Sequence, residues 1–336
     1  MKTILVTGAA GFIGYHLCER LVKEGYRVIG LDNINDYYDV NLKYARLKNL
    51  GIERDSISEN KITASLIYKD TLQFVKTNLE DRIELPKLFE KFDFHCVCNL
   101  AAQAGVRYSL ENPMIYVDSN VVGFINLLEC CRHFKTKKLV YASSSSVYGN
   151  STDVPFNTNQ RVDHPISLYA ATKKSNELMA YTYSHLFDIT TIGLRFFTVY
   201  GPWGRPDMAM FLFTHAILNN KPINVFNNGE LSRDFTYIDD IIEGVNLILK
   251  KESVNEKYQL YNIGNNKPVK LLDFIEAIEK VTGRKAKKIF LPMQPGDVNQ
   301  TWANVNDLTE RYGYQPNYSI EKGVMEFIKW YYEYYL

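Results

Sequence analysis

The sequence predicts an α/β fold of the Rossmann type, in which a doubly wound parallel sheet is followed by a smaller, mixed α/β C-terminal lobe. Over residues 1–197, short apolar runs alternate with helical patterns, and this alternation is typical of a parallel sheet with helices on both faces. After residue 197 the alternation stops, and loops rich in Pro and Gly separate shorter elements. We therefore expect one domain over residues 1–197 and a second over residues 198–336, with some exchange of segments across the boundary.

Composition and charge exclude several classes of protein. The 336 residues are 46% hydrophobic and 23% charged, which is ordinary for a globular protein, and the net charge is +1. This charge produces no field that would attract nucleic acid or an anionic membrane. Apolar runs are too short to span a bilayer, and the N-terminus leads into a glycine motif instead of a cleavage site. We expect a cytoplasmic protein that binds neither nucleic acid nor a membrane.

Cysteine usage points to the same compartment. The five cysteines are an odd number in apolar settings, so we expect reduced thiols. Cys96 and Cys98 could be half of a metal site, but no second pair or His cluster completes one, and we interpret both as core residues with no metal.

The first strand and helix enclose a glycine motif. Residues 2–7 form an apolar run, and a helical pattern extends over residues 12–23. Between them, Gly8 permits a tight turn, Gly11 lets the backbone approach a pyrophosphate, and Gly14 lets the helix pack against the strand. A chance glycine loop is the alternative, but the strand-turn-helix context favours a dinucleotide site at a helix N-terminus. The expected contacts are Gly8, Gly11, Phe12, Ile13 and Gly14.

A second strand, residues 26–31, ends at Asp32, which lies 18 residues beyond Gly14 (32 − 14). A carboxylate at about this spacing accepts hydrogen bonds from the adenosine ribose and repels a 2′-phosphate, so we expect NAD in preference to NADP. Arg27 is too early in the strand to rescue a phosphate. Residues 33–70 are polar, and we interpret them as an insertion with a helix near residues 39–50.

Two further strands, residues 72–75 and 94–100, continue the sheet, and a long helix is predicted over residues 113–133. Residues at or just beyond the ends of the second, third and fourth strands are expected to contact the cofactor, and the adenine is expected to rest near Asn78. These cofactor contacts are Asn33, Asn78, Leu79, Leu100, Ala101 and Ala102.

The fifth strand, residues 138–142, leads into four consecutive serines, residues 143–146. Open α/β sheets bind ligands at the carboxyl ends of their strands, although strand-end capping would also explain the hydroxyls. Tyr169 and Lys173 then share one face of a helix that continues to about residue 187. A neighbouring cation favours phenolate over phenol and makes a Tyr a general base for an alcohol proton. A chance Tyr and Lys pair is the alternative.

The second lobe is predicted to begin with a loop, residues 198–207, after a sixth strand over residues 189–197. Two arginines in polar loops suit a diphosphate, because guanidinium offers paired donors, and an Asp suits a ribose diol; surface charge is the alternative. These residues are Arg205, Arg233 and Asp297. The aromatic segment 330–335 is expected to pack in the core or to form a helix-packing face, and not to be a stacking platform for bases. Short strands are expected near residues 223–227 and 234–238, and helices near 208–219, 239–250, 271–281 and 319–335.

Seven motifs along essentially the whole chain resemble the extended short-chain dehydrogenase/reductases that act on nucleotide sugars. They are TGAAGFIG, NLAAQAGVRYS, SSSSVYG, YAATK, LRFFTVYGPWGRPDMA, RDFTYIDD and QPGDV. The resemblance is closest to the UDP-glucuronate 4-epimerases, because Thr198 stands where many relatives have Asn. Asn78 departs from the Asp that many relatives have before Leu.

The resemblance implies a reaction and roles for individual residues. The reaction interconverts UDP-glucuronate and UDP-galacturonate for polysaccharide biosynthesis, by transient oxidation at C4 with tightly bound NAD. Tyr169 would be the base, assisted by Lys173, which would also hold the nicotinamide ribose, and by Ser144. The substrate would contact Ser145, Ser146 and Thr198 at the sugar carboxylate, Arg205, Arg233 and Asp297 at the UDP, and also Gln103 and Arg107.

The resemblance also implies a homodimer and leaves rival functions open. A UDP-glucose 4-epimerase and a UDP-glucuronate decarboxylase share most of these motifs. A cofactor-binding regulator without turnover is a third alternative, which the intact set of Ser144, Tyr169 and Lys173 disfavours.

Overall fold

The computed structural model describes residues 1–251, 256–294 and 298–336. The strands are β1 (Thr3–Thr7), β2 (Arg27–Asp32), β3 (Ile62–Ser65), β4 (Lys69–Lys76), β5 (Cys96–Asn99), β6 (Lys138–Ser144), β7 (Thr190–Phe196), β8 (Thr198–Tyr200), β9 (Pro222–Phe226), β10 (Ser232–Tyr237), β11 (Tyr258–Ile263), β12 (Pro268–Lys270) and β13 (Lys287–Leu291). The helices are α1 (Phe12–Lys23), α2 (Val40–Asn49), α3 (Glu84–Lys91), α4 (Tyr108–Glu111), α5 (Pro113–Tyr116), α6 (Gly123–His133), α7 (Leu168–Phe187), α8 (Ala209–Leu218), α9 (Ile238–Lys250), α10 (Leu271–Thr282), α11 (Asn306–Tyr312) and α12 (Ile320–Tyr335).

The first compact unit comprises Met1–Gly149, Val162–Arg195 and Val245–Tyr261. It is built on an eight-stranded sheet in the order β11-β7-β6-β5-β1-β2-β4-β3. Pairing is parallel from β4 through β2, β1 and β5 to β6, and β3 is antiparallel to β4. The chain order reverses at β1, between β2 and β5, and open α/β sheets bind ligands outside the carboxyl ends of strands at such a point. The predicted Rossmann-type fold is confirmed.

The core of this unit contains the cysteines. Residues of β1, β5 and β6 are buried on both faces, as a parallel sheet covered by helices requires. All five cysteines are buried free thiols, which confirms the interpretation of Cys96 and Cys98 as core residues.

The segment Pro113–His133 corrects the expectation that the apolar runs are too short to span a bilayer. It is one helical stretch, with a π-helical segment (Val117–Val122) between α5 and α6, and it is long and apolar enough to cross a membrane by length and composition. Half of its most apolar window is buried within the structure, where Phe124 and Leu127 join the core. The core helix of a globular protein passes the same test, so the length of this helix does not indicate a membrane location.

The second compact unit comprises Asn150–Arg161, Phe196–Gly244 and Asn262–Leu336. It contains a three-stranded sheet, β12-β10-β8, and a two-stranded sheet, β13-β9. Phe235 of β10 stacks on Phe274 of α10 with ring centroids 4.0 Å apart. Trp330 and Tyr331 are buried on α12, which confirms the expected core role of the aromatic C-terminus, while Tyr332 and Tyr335 are exposed.

Several elements differ from the sequence prediction. The predicted boundary after residue 197 lies close to the observed division after Arg195, but residues 150–161 belong to the second unit and residues 245–261 to the first. Residues 198–200, predicted as loop, form β8, because they pair with β10. The elements without a predicted counterpart are short: β3, β11, β12, β13, α3, α4 and α11.

Candidate active site

The glycine turn joins β1 to α1 with the backbone tightly folded. Gly8 has φ of +72°, and a Cβ there would lie 2.8 Å from the backbone nitrogen of Ala101. The N–H of Gly11 donates to the oxygen of Gly8 at 2.9 Å. A Cβ on Gly14 would lie 2.0 Å from that same oxygen, so only glycine fits. Gly11 caps α1 without a side-chain hydrogen bond, so no cap side chain accepts from the first-turn N–H groups, which include those of Phe12 and Ile13, and such a helix start suits an anion.

Asp32 holds the glycine turn from the end of β2. Its Oδ2 accepts from the N–H of Ala10 at 3.1 Å, and its Oδ1 accepts from the N–H of Ile34 at 2.8 Å. Each carboxylate oxygen can accept a further hydrogen bond, as a ribose hydroxyl would require. Arg46, which was not identified from the sequence, is fully buried and donates to the oxygen of Ala10 at 2.9 Å.

Asn33 and Asn78 lie together at the ends of β2 and β4. The Nδ2 of Asn33 donates to the Oδ1 of Asn78 at 3.0 Å, so the departure from Asp leaves a hydrogen-bonding group in place. The oxygen of the buried Leu79 accepts from the Nδ2 of Asn126 at 2.7 Å. Asn78 and Leu79 therefore lie in a segment that hydrogen bonds hold beside Asp32. The backbone oxygen of Asp32 accepts from the N–H of Thr77.

The segment after β5 is fixed by two buried polar side chains that sequence reasoning missed. Thr7 donates to the Oδ1 of Asn99 at 2.6 Å and accepts from the N–H of Ala101 at 3.1 Å, which places Leu100, Ala101 and Ala102 at the carboxyl end of β1. Asn120, in the π-helical segment, bonds both the N–H and the oxygen of Gln103, at 2.8 and 3.0 Å. Gln103 is 2% exposed, and its Oε1 has no hydrogen-bond partner among the described residues.

Helix α7 carries Tyr169 and Lys173. Ser167 caps the helix by accepting from the N–H of Ala170 at 3.1 Å. Lys173 is 2% exposed; its Nζ donates to the oxygen of Ala142 at 2.9 Å and lies 6.0 Å from the centroid of the Tyr169 ring. Burial lowers the pKa of the Lys173 ammonium to about 8, so at neutral pH it stays mostly protonated. The predicted pair of phenol and ammonium on one face is present.

The serine run is fastened to α7 by a buried ion pair. Ser143 donates to the Oε1 of Glu177 at 2.7 Å, and Arg195 contacts both Glu177 oxygens at 2.8 and 2.9 Å. Burial acts to lower the pKa of Arg195, but its bonds to Glu177 outweigh this and hold the pKa above its usual value. Ser144 Oγ accepts from the N–H of Ser146 at 3.1 Å and donates to its hydroxyl at 3.0 Å. Ser145 and Ser146 are partly exposed.

Arg107 is exposed at the start of α4 and belongs to the same unit. Close by, Tyr116 donates to the oxygens of Ala104 and Gly105, at 2.9 and 2.6 Å. The Tyr116 ring meets the Tyr169 ring edge to face, with centroids 6.1 Å apart. The segment between Gln103 and Arg107 is thus held near the catalytic candidate Tyr169.

The remaining sequence-predicted residues belong to the second unit. Thr198 begins β8 opposite Phe235 of β10. Arg205 pairs with Asp207 through two hydrogen bonds, at 3.0 and 2.5 Å. Arg233 donates to the oxygens of Ser232 and Asn299, at 3.0 and 3.2 Å. Asp297 lies outside the described residues.

Asp234, which follows Arg233, organises the loops of this unit and was not identified from the sequence. The fully buried carboxylate accepts from the N–H groups of Asn265, Asn266 and Ala303, at 2.6, 3.0 and 3.0 Å. Burial raises the pKa of Asp234, and these hydrogen bonds offset part of that rise. The strand carrying Arg233 is therefore tied to two separate chain segments.

Three features of the first unit fit an adenine dinucleotide. The turn at Gly8 and Gly11 lies so close to neighbouring backbone that it excludes a Cβ, α1 begins without a side-chain cap, and Asp32 presents a carboxylate at the end of β2. In the described ranges 1–251, 256–294 and 298–336, no cluster of three His, Cys, Asp or Glu side chains suits a metal ion. The geometry can support alcohol oxidation by a bound dinucleotide, with a phenol as proton acceptor.

Comparison with known proteins agrees with this geometry. Over 99% of each chain the sequence is 52% identical to Protein CapI of Staphylococcus aureus. It is 43% identical to the probable UDP-glucuronate 4-epimerase of Rhizobium meliloti, over 97% of this chain and 96% of that one. The solved structure of UDP-glucuronic acid 4-epimerase from Bacillus cereus in complex with UDP-glucuronic acid and NAD matches with a TM-score of 0.89 and 35% identity, covering 99% of this chain and 100% of that one. Residues 4–264 match the model of the NAD dependent epimerase/dehydratase family, and the chain belongs to that family.

Proposed function

We propose that the chain is a UDP-glucuronate 4-epimerase, an NAD-dependent isomerase that interconverts UDP-glucuronate and UDP-galacturonate. One observation carries the chemistry: the ammonium of Lys173 is buried beside Tyr169, on the helix bonded to the strand that leads into Ser144. A regulator without turnover has no use for this arrangement.

The cofactor would be held by the glycine turn and the strand ends around it. The tight turn at Gly8, Gly11 and Gly14 places the pyrophosphate at the uncapped start of α1, and Asp32 accepts from the adenosine ribose. Bound NAD accepts a hydride from C4 of the sugar and returns it to the opposite face, so it is regenerated in each turnover. The other contacts are Phe12, Ile13, Asn33, Asn78, Leu79, Leu100, Ala101, Ala102 and Lys173.

Tyr169 takes the proton from the sugar O4 and later gives it back. Lys173 supports this role, because a nearby cation favours the phenolate. Ser144 donates a hydrogen bond to the same sugar oxygen in place of the one it donates to the Ser146 hydroxyl, and it keeps the hydrogen bond it accepts from the N–H of Ser146. Since proton and hydride leave together and return together, no external reductant is consumed.

Specificity for a uronate rests on hydroxyl groups. Ser145, Ser146 and Thr198 donate to the sugar carboxylate, and hydrogen bonds to a charged group contribute roughly 1.5–3 kcal/mol each. Gln103 and Arg107 contact the sugar from the segment after β5, and the buried Oε1 of Gln103 has no partner in the part of the chain that the structure describes. The UDP is held by Arg205, Arg233 and Asp297. Residues 198–336 form the UDP-sugar-binding lobe, and residues 1–197 form the NAD-binding domain.

We also propose a cytoplasmic homodimer without a membrane or nucleic-acid partner, supplying a sugar for polysaccharide biosynthesis. A homodimer through α7 is supported by apolar side chains on its surface: Leu178 is 58% and Tyr181 55% exposed. Leu110 and Met114, at the start of the neighbouring helical segment, are exposed as well. Sedimentation of the pure protein tests this, and a monomer at micromolar concentration would contradict it.

The function is tested by incubating pure protein with UDP-glucuronate, UDP-glucose or UDP-xylose, without added NAD, and following the products by NMR. We expect only UDP-glucuronate to react, giving UDP-galacturonate. Preference for UDP-glucose would identify a UDP-glucose 4-epimerase, and release of CO₂ as the main reaction would identify a decarboxylase.

A further inference from the structure

A lysine ammonium is buried in the insertion that follows β2. Lys43 on α2 is 5% exposed, and its Nζ donates to the backbone oxygen and to the Oδ1 of Asn35, both at 2.8 Å. The ammonium also lies 5.0 Å from the centroid of the Tyr38 ring. In the described parts of the chain it pairs with no carboxylate. A buried lysine is normally paired with an anion, so the buried Lys43 ammonium indicates a place where an anionic ligand can bind.

A second buried cation lies one helical turn further along the same face. Arg46 donates to the oxygen of Ala10 in the glycine turn, at 2.9 Å, and to the hydroxyl of Tyr38, at 2.6 Å. The Tyr38 ring contacts both cations, with the Arg46 guanidinium carbon 5.5 Å from its centroid. Helix α2 therefore directs two positive charges toward the segments around the glycine turn.

Both cations are connected to the residues that hold Asp32. Arg46 bonds the oxygen of Ala10, whose N–H donates to Asp32 Oδ2. Lys43 bonds Asn35, which follows the residue that donates to Asp32 Oδ1. Asp32 is thus linked, through the residues that donate to its carboxylate, to two buried positive charges.

We propose that Lys43, supported by Arg46, forms a site for the 2′-phosphate of an adenine dinucleotide, and that the Asp32 carboxylate alone keeps this site closed to NADP. This inference rests on the proposed binding of NAD by the glycine turn. A phosphomonoester carries close to two negative charges at neutral pH and accepts strong hydrogen bonds. Two of the three Lys43 N–H groups are used by Asn35, and the third remains available to a phosphate oxygen.

The proposal makes cofactor preference depend on one carboxylate. In the wild type, Asp32 accepts from the ribose hydroxyl and repels a 2′-phosphate. In Asp32→Asn the repulsion is removed, while the two cations stay in place. Asp32→Ser is a second variant with a smaller side chain. It guards against a negative result that arises only because the Asn amide blocks the phosphate.

The test measures which nucleotide the full-length protein retains. Wild type, Asp32→Asn and Asp32→Ser are incubated with equal excesses of NAD and NADP, desalted, denatured and analysed by chromatography. We expect the ratio of NADP to NAD to rise by about 10- to 100-fold in at least one Asp32 variant, as a hydrogen bond to a charged group provides. Thermal unfolding establishes that each variant is folded.

Adding Lys43→Met to the successful Asp32 variant should then reduce NADP retention by about 10-fold and change NAD retention little. Lys48→Met is the matched control, because Lys48 is an exposed lysine on the same helix and should have no effect. If both Asp32 variants still reject NADP, or if Lys43→Met leaves the gain intact, the proposal is wrong.

A fragment assay separates this result from the proposed function. Calorimetry with adenosine 2′,5′-bisphosphate needs neither nicotinamide nor turnover. A wild type that retains no dinucleotide would contradict the proposed function, whereas the inference would still hold if the bisphosphate bound about 10-fold more tightly after Asp32→Asn and lost that gain with Lys43→Met. Absence of the gain in this assay would overturn the inference independently.

Discussion

The Lys173 ammonium donates a 2.9 Å hydrogen bond to the backbone oxygen of Ala142, so the helix that carries Tyr169 is fastened to the strand that leads into the serines. One turn further along the helix, Glu177 accepts from Ser143 Oγ at 2.7 Å. Two consecutive strand residues are therefore held by two successive turns of α7.

Removing Glu177 should destabilise the fold strongly. In Glu177→Ala the buried Arg195 loses its partner, and breaking a buried pair in this way costs about 3–5 kcal/mol of unfolding free energy. Ser143→Ala removes one hydrogen bond but leaves that pair intact, so we expect about 1 kcal/mol. Urea unfolding measures both values. A Glu177→Ala variant within about 1 kcal/mol of wild type would show that the pair is not needed.

Local patterns predicted one part of the site and tertiary pairings determined the rest. The glycine turn, Asp32 and the pair of Tyr169 and Lys173 are visible in the sequence, because each depends on spacing within one turn or helix. Glu177 and Arg195 are not, because their contact requires α7 and β7 to be packed together. Likewise Asp234 bonds segments about 30 and 70 residues away, and β8 is a strand only because β10 pairs with it.

The buried Lys173 should give the protein a measurable pH dependence of stability. Burial lowers its pKa from 10.5 to about 8, so between these values the unfolded chain binds more protons than the folded chain. Stability then rises with pH over this window. Relative to Lys173→Met, the wild type should gain about 1.6 kcal/mol of unfolding free energy between pH 8 and 9.5.

Denaturant unfolding of both proteins at several pH values checks this, since the tyrosines and other groups common to both cancel in the difference. A difference that is constant from pH 7 to 10 would mean that Lys173 titrates near its ordinary pKa in the folded chain.

Gly14→Ala should prevent normal folding of the glycine turn. The added Cβ would lie 2.0 Å from the oxygen of Gly8, a backbone atom that cannot move aside. We expect a loss of about 3 kcal/mol or more, together with loss of bound dinucleotide. Gly25→Ala is the control: its φ is +86° but its Cβ would meet nothing within 4 Å, so the cost should be only about 1 kcal/mol. Similar losses for both variants would contradict the close-packing argument.

Tyr169→Phe should abolish turnover while bound NAD is retained, if Tyr169 is the base as proposed. The ring and its packing against Tyr116 are kept, and only the titratable hydroxyl is removed. General-base catalysis contributes about 10²–10⁴-fold, and we expect at least that loss in kcat. Tyr181→Phe, on the exposed side of the same helix, should keep wild-type activity. Activity of Tyr169→Phe within about 10-fold of wild type would place the base elsewhere.

The proposed uronate substrate imposes a further requirement. When C4 is a carbonyl, the carboxylate on C5 makes the sugar a β-keto acid. Such acids lose CO₂ readily when the breaking bond aligns with the carbonyl π system. An epimerase must therefore hold the carboxylate in an unproductive orientation, and it must keep it as an anion. Hydroxyl donors meet both demands, because they bond carboxylate oxygens in a fixed direction.

Thr198→Val tests this requirement, because it removes the proposed hydroxyl donor and preserves a β-branched side chain at the start of β8. We expect kcat for UDP-glucuronate to fall by about 10- to 100-fold, the loss of one hydrogen bond to a charged group. UDP affinity, measured by calorimetry, should stay within about two-fold of wild type, because Arg205 and Arg233 are unchanged. With the carboxylate less restrained, NMR should also detect some UDP-pentose.

Val199→Ile is the control: the neighbouring residue is buried and lacks a hydroxyl, and this substitution should alter neither kcat nor product. Unchanged epimerisation in Thr198→Val would mean that the carboxylate is held by other groups.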